Sequence, residues 1–227
     1  MATTQSNNRF ALIISAIVVV ALLAVGGVVV FLNNQATAPG AVPQSDIIDT
    51  ETGAITFGSG DEIIDTYLDF MCPGCLAFES RYGQALQDAA SADTITLNVH
   101  PVAILNRASQ GTEYSTRSAS AMYCVAVEEP ARALDFLNLV FANQPQEASP
   151  GLSDEQLVAI AEKVDASAAS GCIAQHTYAD YADEQTTKIP ANAAGDVSTP
   201  TVLRDGEYVD NPNSNADFAA FVAGLAG

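Results

Sequence analysis

Two cysteines separated by two residues, Cys72 and Cys75, are the side chains of this chain best suited to chemistry. They follow an apolar run, 63–70, that predicts a buried strand, and Pro73 opens a run that predicts a helix. The thiols therefore lie at a helix N-terminus, where unpaired backbone N–H groups and the helix dipole favour a thiolate. The spacing lets them close a small disulfide and release it again, which predicts a dithiol that exchanges electrons.

The segments around this motif predict a mixed α/β domain. A strand at 94–99 follows the helix, and a strand–helix–strand order favours parallel pairing with the helix across one face. Near the C-terminus, Asp205-Gly206 separates two short apolar runs and predicts a hairpin. A short strand at 54–57 and an amphipathic helix at 215–225 complete this part of the pattern.

From about residue 106 to residue 190 the periodicity is helical, which predicts a helical insertion within the α/β domain. Ser153 and Gln156 match a capping box that would open one of these helices. The predicted helices of the insertion span 115–127, 130–142, 153–164 and, more weakly, 172–188.

The N-terminal part of the chain predicts a membrane anchor. Residues 10–32 form an uncharged, apolar stretch of 23 residues, and a helix of that length spans roughly 34 Å, enough for a bilayer. A cleaved signal peptide is the alternative, although its apolar core is usually about 7–15 residues long. We therefore expect a cytoplasmic N-terminus at 1–9, an anchor at 10–32, a linker at 33–47 and an outer domain at 48–227.

The charge of the chain argues against nucleic acid or anionic lipid as a partner. The net charge is −19, with 27 acidic and 8 basic residues, and every acidic residue lies beyond the predicted anchor. The plain interpretation is a solvated acidic surface on an extracytoplasmic domain.

Four cysteines, all beyond the predicted anchor, fit an oxidising compartment. Cys124 and Cys172 remain once the local pair is set aside, and we expect them to form a structural bridge; a second redox pair is the alternative. Closing that loop would contribute on the order of 4 kcal/mol in the chain-entropy model. A zinc site is disfavoured because the chain has only two histidines and no second Cys-x-x-Cys.

Three features together resemble the DsbA-like branch of the thioredoxin-fold family. The run Tyr67–Cys75 is similar to the family's aromatic-x-Asp-aromatic-x-Cys-Pro-x-Cys pattern, with Asp69, Phe70, Pro73 and Gly74 flanking or lying between the thiols. The run Ser198–Thr201 is similar to the family's cis-proline loop, and the helical insertion lies between the two. The resemblance covers residues 48 to 227 and implies a thioredoxin fold with an inserted helical subdomain.

The resemblance also implies roles for four of these residues. Cys72 would be the exposed nucleophile that forms a mixed disulfide with a partner protein, and Cys75 would be its buried resolving partner. Pro200 would be cis and lie against the disulfide, while the Thr199 backbone would pair with the substrate chain as an added strand. The resemblance implies no cofactor and no metal.

Two departures from the family bear on the chemistry. Many members have His inside the motif, where this chain has Gly74, which predicts a less oxidising couple. Many also carry an acidic residue six positions before the first cysteine as a buried proton relay, where this chain has Thr66. Strand alternation puts Asp65 on the opposite face from Thr66, and Asp69 is more typical of a helix start than of a catalyst. The proton-transfer role is therefore left unassigned.

These observations predict a membrane-anchored thiol–disulfide oxidoreductase that faces outward and oxidises reduced exported proteins. An integral-membrane reoxidant would return it to the disulfide state. A disulfide reductase or isomerase with the same residues is the nearest alternative. A non-enzymatic, membrane-tethered binding module is the second alternative.

Overall fold

The computed structural model describes residues 13–14 and 40–225 of the 227-residue chain. The predicted anchor at 10–32 lies outside these residues except for 13 and 14, as do the predicted N-terminus at 1–9 and the linker residues 33–39. Among the described residues, no helix has both the length and the apolar character needed to cross a membrane. The compact unit described below begins at Gly40.

A five-stranded mixed sheet forms the centre of this unit, with strand order β1-β3-β2-β4-β5. The strands β2 and β3 pair in parallel, as the strand–helix–strand order predicted, and the other neighbours pair antiparallel. Asp205 and Gly206 both have positive φ and make the predicted hairpin turn between the last two strands. The strands are β1 (Ile55–Phe57), β2 (Glu62–Leu68), β3 (Ile95–Pro101), β4 (Thr201–Arg204) and β5 (Glu207–Tyr208).

A helical stretch crosses from the end of β2 to β3. It consists of α1 (Pro73–Phe78), a π-helical turn (Glu79–Gly83) and α2 (Gln84–Ser91) in direct succession. The predicted helix is present, but the sequence pattern did not reveal the π-helical turn inside it. Such turns are rare in proteins, and those that occur often lie at functional sites.

The helical insertion predicted between the two halves of the sheet is present between β3 and β4, so the mixed α/β fold with a helical insertion is confirmed. Its longest helix is almost entirely buried and packs against most of the other insertion helices. The insertion helices are α3 (Tyr114–Glu128), α4 (Ala133–Ala142), α5 (Asp154–Lys163), α6 (Ser170–Ala174) and α7 (Ala179–Thr186), and α8 (Ala216–Leu225) follows β5.

Of two local predictions within the insertion, the structure confirms the capping box at Ser153 but not the single helix at 172–188. The Ser153 hydroxyl accepts a hydrogen bond from the Gln156 N–H at 3.3 Å, and the Gln156 side chain accepts one from the Ser153 N–H at 2.9 Å, which completes the capping box. The predicted helix at 172–188 is wrong as a single element. It divides into α6 and α7 because the chain turns between them at His176, where φ is 50°.

Alternation along β2 places its polar side chains on two different faces of the sheet. Thr66 is buried on the same face as Ile64 and Leu68. Asp65 points to the opposite face, where its Oδ1 lies 3.0 Å from Nε2 of His100. The predicted separation of Asp65 from Thr66 is therefore observed.

Candidate functional site

The Cys-x-x-Cys motif lies just after the end of β2, at the start of α1. Cys72 is the N-cap of α1 and Pro73 is its first residue, a position where the missing proline N–H costs no helical hydrogen bond. The Cys72 carbonyl accepts hydrogen bonds from the N–H groups of Cys75 and Leu76 at 3.0 and 3.2 Å. The first turn of the helix therefore closes directly onto the first cysteine.

The two thiols differ in their access to solvent. Both are free, but Cys72 is 8 % exposed whereas Cys75 is completely buried. The Cys72 thiol donates a hydrogen bond to the Thr199 carbonyl at 3.3 Å, and the Cys75 sulfur accepts one from the Asp69 N–H at 3.4 Å. Of the two thiols, only Cys72 keeps any surface that a partner sulfur could reach, and its role as the nucleophile stays a prediction.

Their acidities differ in opposite directions. The Cys75 thiol donates to Cys72 and, with Thr199 and backbone N–H groups at the helix start, lowers the pKa of Cys72 to about 6 despite its partial burial. Burial raises the pKa of Cys75 well above its usual range, and its donation to Cys72 adds to that shift. At neutral pH the reduced motif therefore holds one thiolate, on Cys72, and one thiol, on Cys75.

The predicted proline loop lies directly beside the dithiol. The Thr199–Pro200 peptide bond is cis, and the Thr199 carbonyl is the acceptor for the Cys72 thiol. A Cβ placed on Gly74 would stand 3.2 Å from Cδ of Pro200 and 3.5 Å from Sγ of Cys72. The structure thus brings Cys72 and Gly74 into contact with Thr199 and Pro200, which follow them by more than 120 residues in sequence.

A groove of about 340 Å³ opens from this contact. Gly74, Thr199 and Pro200 form part of its wall, and the segment from Asp210 to Ser214 forms much of the rest. Among its lining residues only Asp210 is charged, and the others are mostly small or neutral polar side chains. The groove therefore offers hydrogen-bonding surface beside Cys72 without a strong charge preference.

Asp69 is a positioning residue for the motif. Its carboxylate is completely buried and accepts hydrogen bonds from the Met71 N–H at 2.8 Å, the Ser115 hydroxyl at 2.8 Å and the Leu105 N–H at 2.9 Å. Burial raises the pKa of Asp69, and these donors oppose that shift. Asp69 thereby fastens the turn before Cys72 to the helical insertion, a role that its place in the sequence did not reveal.

Two amide side chains that the sequence did not single out also hold the motif. The Gln144 side chain donates to the Cys72 carbonyl, and the Asn213 side chain donates to the Gly74 carbonyl, both at 3.0 Å. Phe70, predicted to flank the motif, packs on Phe141 of α4 with ring centroids 5.0 Å apart. No sequence signal marks Gln144 or Asn213, because each meets the motif only through the tertiary fold.

Cys124 and Cys172 lie apart from this site. They form a disulfide with an S–S distance of 2.02 Å that joins α3 to α6 inside the insertion. Among residues 40–225, the histidine, cysteine and carboxylate side chains form no cluster of three that could hold a metal ion.

Comparison with known proteins places this geometry in a family. The profile of the family described as Thioredoxin matches residues 57–223. The chain belongs to this family. The match spans β2 to β5, the dithiol, the helical insertion and the proline loop.

Two solved structures illustrate the relationship. The MdbA protein of Actinomyces oris, a thiol-disulfide oxidoreductase, is 27 % identical, with 81 % of this chain and 90 % of that chain covered and a TM-score of 0.61. The disulfide bond oxidoreductase DsbG of Mycobacterium tuberculosis shares the fold at 24 % identity, with 86 % and 91 % covered and a TM-score of 0.62. With the family match and the free dithiol, these similarities confirm the predicted enzyme class, a protein thiol–disulfide oxidoreductase.

A curated relative matches by sequence over part of its length. The serine/threonine-protein kinase PknE of Mycobacterium tuberculosis is 29 % identical over 154 residues, which is 65 % of this chain. The chain spans only about a quarter of such curated relatives, 27 % of their length.

Proposed function

We propose that this protein is an extracytoplasmic oxidase that forms disulfides in exported proteins through Cys72 and Cys75. The observation that carries the proposal is the placement of the two thiols: Cys72 is partly accessible at the N-cap of α1 beside the cis Thr199–Pro200 bond, and Cys75 is completely buried. Their acidities follow from this placement. The pKa of Cys72 is lowered to about 6 and that of Cys75 is raised well above its usual range. A stabilised Cys72 thiolate favours the reduced enzyme, so the disulfide form tends to pass its bond to another protein.

The exchange proceeds in two steps that balance electrons and protons. A substrate thiolate attacks Sγ of Cys72 in the oxidised enzyme, the Cys72–Cys75 bond breaks, and Cys75 leaves and takes up a proton. A second substrate thiolate then attacks the substrate sulfur of the mixed disulfide and expels the Cys72 thiolate. The substrate loses two electrons to the enzyme, and of its two thiol protons one goes to Cys75 and the other to solvent.

The surroundings of Cys72 suit a protein substrate. The groove beside it is lined by Thr199, Pro200 and mostly neutral polar side chains, with Asp210 as the one charged residue, so an extended segment can lie along it without a strong charge preference. Such tolerance fits clients that share reduced cysteines but little sequence. We therefore infer that the clients are reduced, incompletely folded exported proteins.

The location and the reoxidant form the remaining part of the proposal. The apolar segment 10–32 would hold the domain on the outer side of a membrane, in a compartment where the Cys124–Cys172 bridge persists. An oxidase in that position must be returned to its disulfide state after each cycle. An integral-membrane reoxidant that accepts electrons from the Cys72 thiolate would supply this step.

The test uses the full chain with a reduced, denatured secretory protein of known disulfides. We expect the oxidised enzyme to generate native disulfides in stoichiometric amounts, and Cys72→Ala to generate none. Cys75→Ala should instead accumulate a mixed disulfide on Cys72. Faster rescue of a scrambled client than oxidation of a reduced one would favour an isomerase. Client handling that survives Cys72→Ala would favour a binding module.

A further inference from the structure

A buried carboxyl group lies one helical turn beyond the dithiol, in the π-helical turn. Oε2 of Glu79 is sealed from solvent and accepts no hydrogen bond from the described residues. It lies over the backbone of Gly83, where a Cβ would collide with it. The glycine thus leaves the space that the carboxyl group occupies.

This carboxyl group faces a small internal cavity between the helix and the sheet. The space open to the centre of a water molecule is about 10 Å³, close to the minimum that holds one water. Every element packed against the cavity presents a neutral side chain to it, so Glu79 is its one titratable lining residue among those described. The neutral lining comes from Thr66 on β2, Leu97 and Val99 on β3, Leu86 and Gln87 on α2, and Leu137 on α4.

Glu79 follows Cys75 by one turn in the same helical stretch. The Glu79 N–H donates to the Cys75 carbonyl, so the helical spacing is kept from one residue to the other. Residues four apart on a helix lie on one face, with Cβ atoms about 5–6 Å apart. Thr66, which also lines the cavity, stands six positions before Cys72, where the sequence lacks the acidic residue that the resemblance led us to expect.

Cys75 needs a proton partner that the other nearby carboxylates do not supply. Its thiolate is disfavoured by complete burial, so it must be protonated as it leaves the disulfide. The Asp69 carboxylate is already engaged by three donors, and Asp65 lies on the opposite face of the sheet beside His100. Burial raises the pKa of Glu79 to about 7, which lets it both give and take a proton near neutral pH.

We propose that Glu79 is the proton donor and acceptor for Cys75. From its position on the helix, Glu79 takes the role of the acidic residue expected on the strand, where this chain has Thr66. The inference rests on the proposed thiol–disulfide exchange. When the Cys72–Cys75 bond breaks, the Glu79 carboxyl gives its proton through the cavity to the Cys75 sulfur. When the bond forms again, the carboxylate takes the proton from the Cys75 thiol, which then attacks the sulfur of Cys72 and expels the partner thiolate.

The test isolates that intramolecular step. The reduced full chain is mixed with oxidised glutathione, and mass spectrometry follows the conversion of the Cys72–glutathione adduct to the Cys72–Cys75 disulfide between pH 5 and pH 9. For the natural chain we expect an inflection near pH 7. For Glu79→Gln, a neutral side chain of equal size, we expect a rate about 10²-fold lower above that pH and no inflection there. The alkylation rate of Cys72 should be unchanged.

Two further variants separate proton transfer from a structural role. Gly83→Ala retains the charge but displaces the carboxyl group, and should reproduce part of the loss. Thr66→Glu in the Glu79→Gln background returns an acid to the cavity from the strand, and should restore a pH-dependent closure step. If Glu79→Gln does not fold, Gly83→Ala and an infrared carboxyl band that titrates near pH 7 in the natural chain carry the test.

A natural pH profile in Glu79→Gln, or a carboxyl band that titrates with the ordinary glutamates, would overturn the inference. Because glutathione supplies the disulfide, this result does not depend on any client protein. Failure of the natural chain to oxidise a reduced client would count against the proposed function alone.

Discussion

The two cysteine pairs of this molecule have the same side chains and opposite chemistry. Cys124 is completely buried within α3 and is bonded to Cys172 of α6, so both sulfurs are consumed inside the insertion. Cys72 and Cys75 lie at the start of α1 as free thiols, and only Cys72 keeps any exposed surface.

Burial alone does not separate the pairs, since Cys75 is as inaccessible as Cys124. The difference lies in the partner: Cys72 is 8 % exposed and is surrounded by groups that stabilise its thiolate. A reactive disulfide thus needs one accessible, acidic sulfur joined to one buried sulfur. A structural bridge needs neither property.

The strongest test of this contrast disables each pair in turn. Cys72→Ala should reduce disulfide formation in a reduced client by at least 10³-fold while leaving stability within about 1 kcal/mol, because it removes the proposed nucleophile but only one sulfur atom at the partly accessible edge of the core. Client oxidation and chemical unfolding measure the two effects.

The double variant Cys124→Ala/Cys172→Ala should behave in the reverse way. Client oxidation should stay within a few-fold of the natural chain, while the free energy of unfolding falls by about 2–5 kcal/mol because a long loop is released. Loss of oxidation in a double variant that is still folded would show that the bridge takes part in the chemistry.

Asp69→Asn should be the most damaging single change near the motif that leaves both thiols in place. The amide nitrogen would face donors from Met71, Leu105 or Ser115, and each hydrogen bond to the buried charge contributes roughly 1.5–3 kcal/mol. We expect the free energy of unfolding to fall by about 2–4 kcal/mol. Asp88→Asn, on an exposed part of α2, is the matched control and should change it by less than about 0.5 kcal/mol. Equal effects in the two variants would refute the positioning role.

The acidity of Cys72 predicts a distinct pH dependence. Because the pKa of Cys72 is lowered to about 6, the reactive thiolate is lost as the pH falls through 6. Ionisation of Cys72 is nearly complete by pH 8. The rate of iodoacetamide alkylation of the reduced chain should therefore have its midpoint near pH 6, with label on Cys72 and almost none on Cys75. A midpoint near 9, the ordinary value for a thiol, would contradict the proposed activation.

Gly74 should limit the oxidising strength. Gly74→His adds an imidazole beside the Cys72 thiolate, and we expect the reduction potential to rise by about 30 mV for each 1.4 kcal/mol of added thiolate stabilisation. Gly74→Ala is the control, since it adds the same Cβ beside Pro200 without a hydrogen-bonding group. If both variants shift the potential equally, packing and not thiolate stabilisation sets its value.

Much of the site could be predicted from the sequence because its chemistry is local. The helix start at Pro73, the capping box at Ser153 and the Asp205-Gly206 turn depend on residues adjacent in the chain. The proline loop was recognised only through its resemblance to a family, since nothing local tells which helix start Pro200 will meet.

The remaining site residues depend on tertiary contacts. Gln144 and Asn213 reach the motif from segments about 70 and 140 residues away. In the sequence pattern, Glu79 is indistinguishable from an ordinary exposed polar residue of an amphipathic helix. Only the π-helical turn and the facing strands show that its carboxyl group points inward.

The reduction potential of the Cys72–Cys75 pair tests the central claim most directly. Equilibration of the full chain with glutathione buffers, followed by thiol labelling, measures it. The opposed acidities of Cys72 and Cys75 predict a value clearly above the −270 mV or so of thioredoxin, together with oxidation of a reduced client. A value at or below that of thioredoxin, with no client oxidation, would contradict the account.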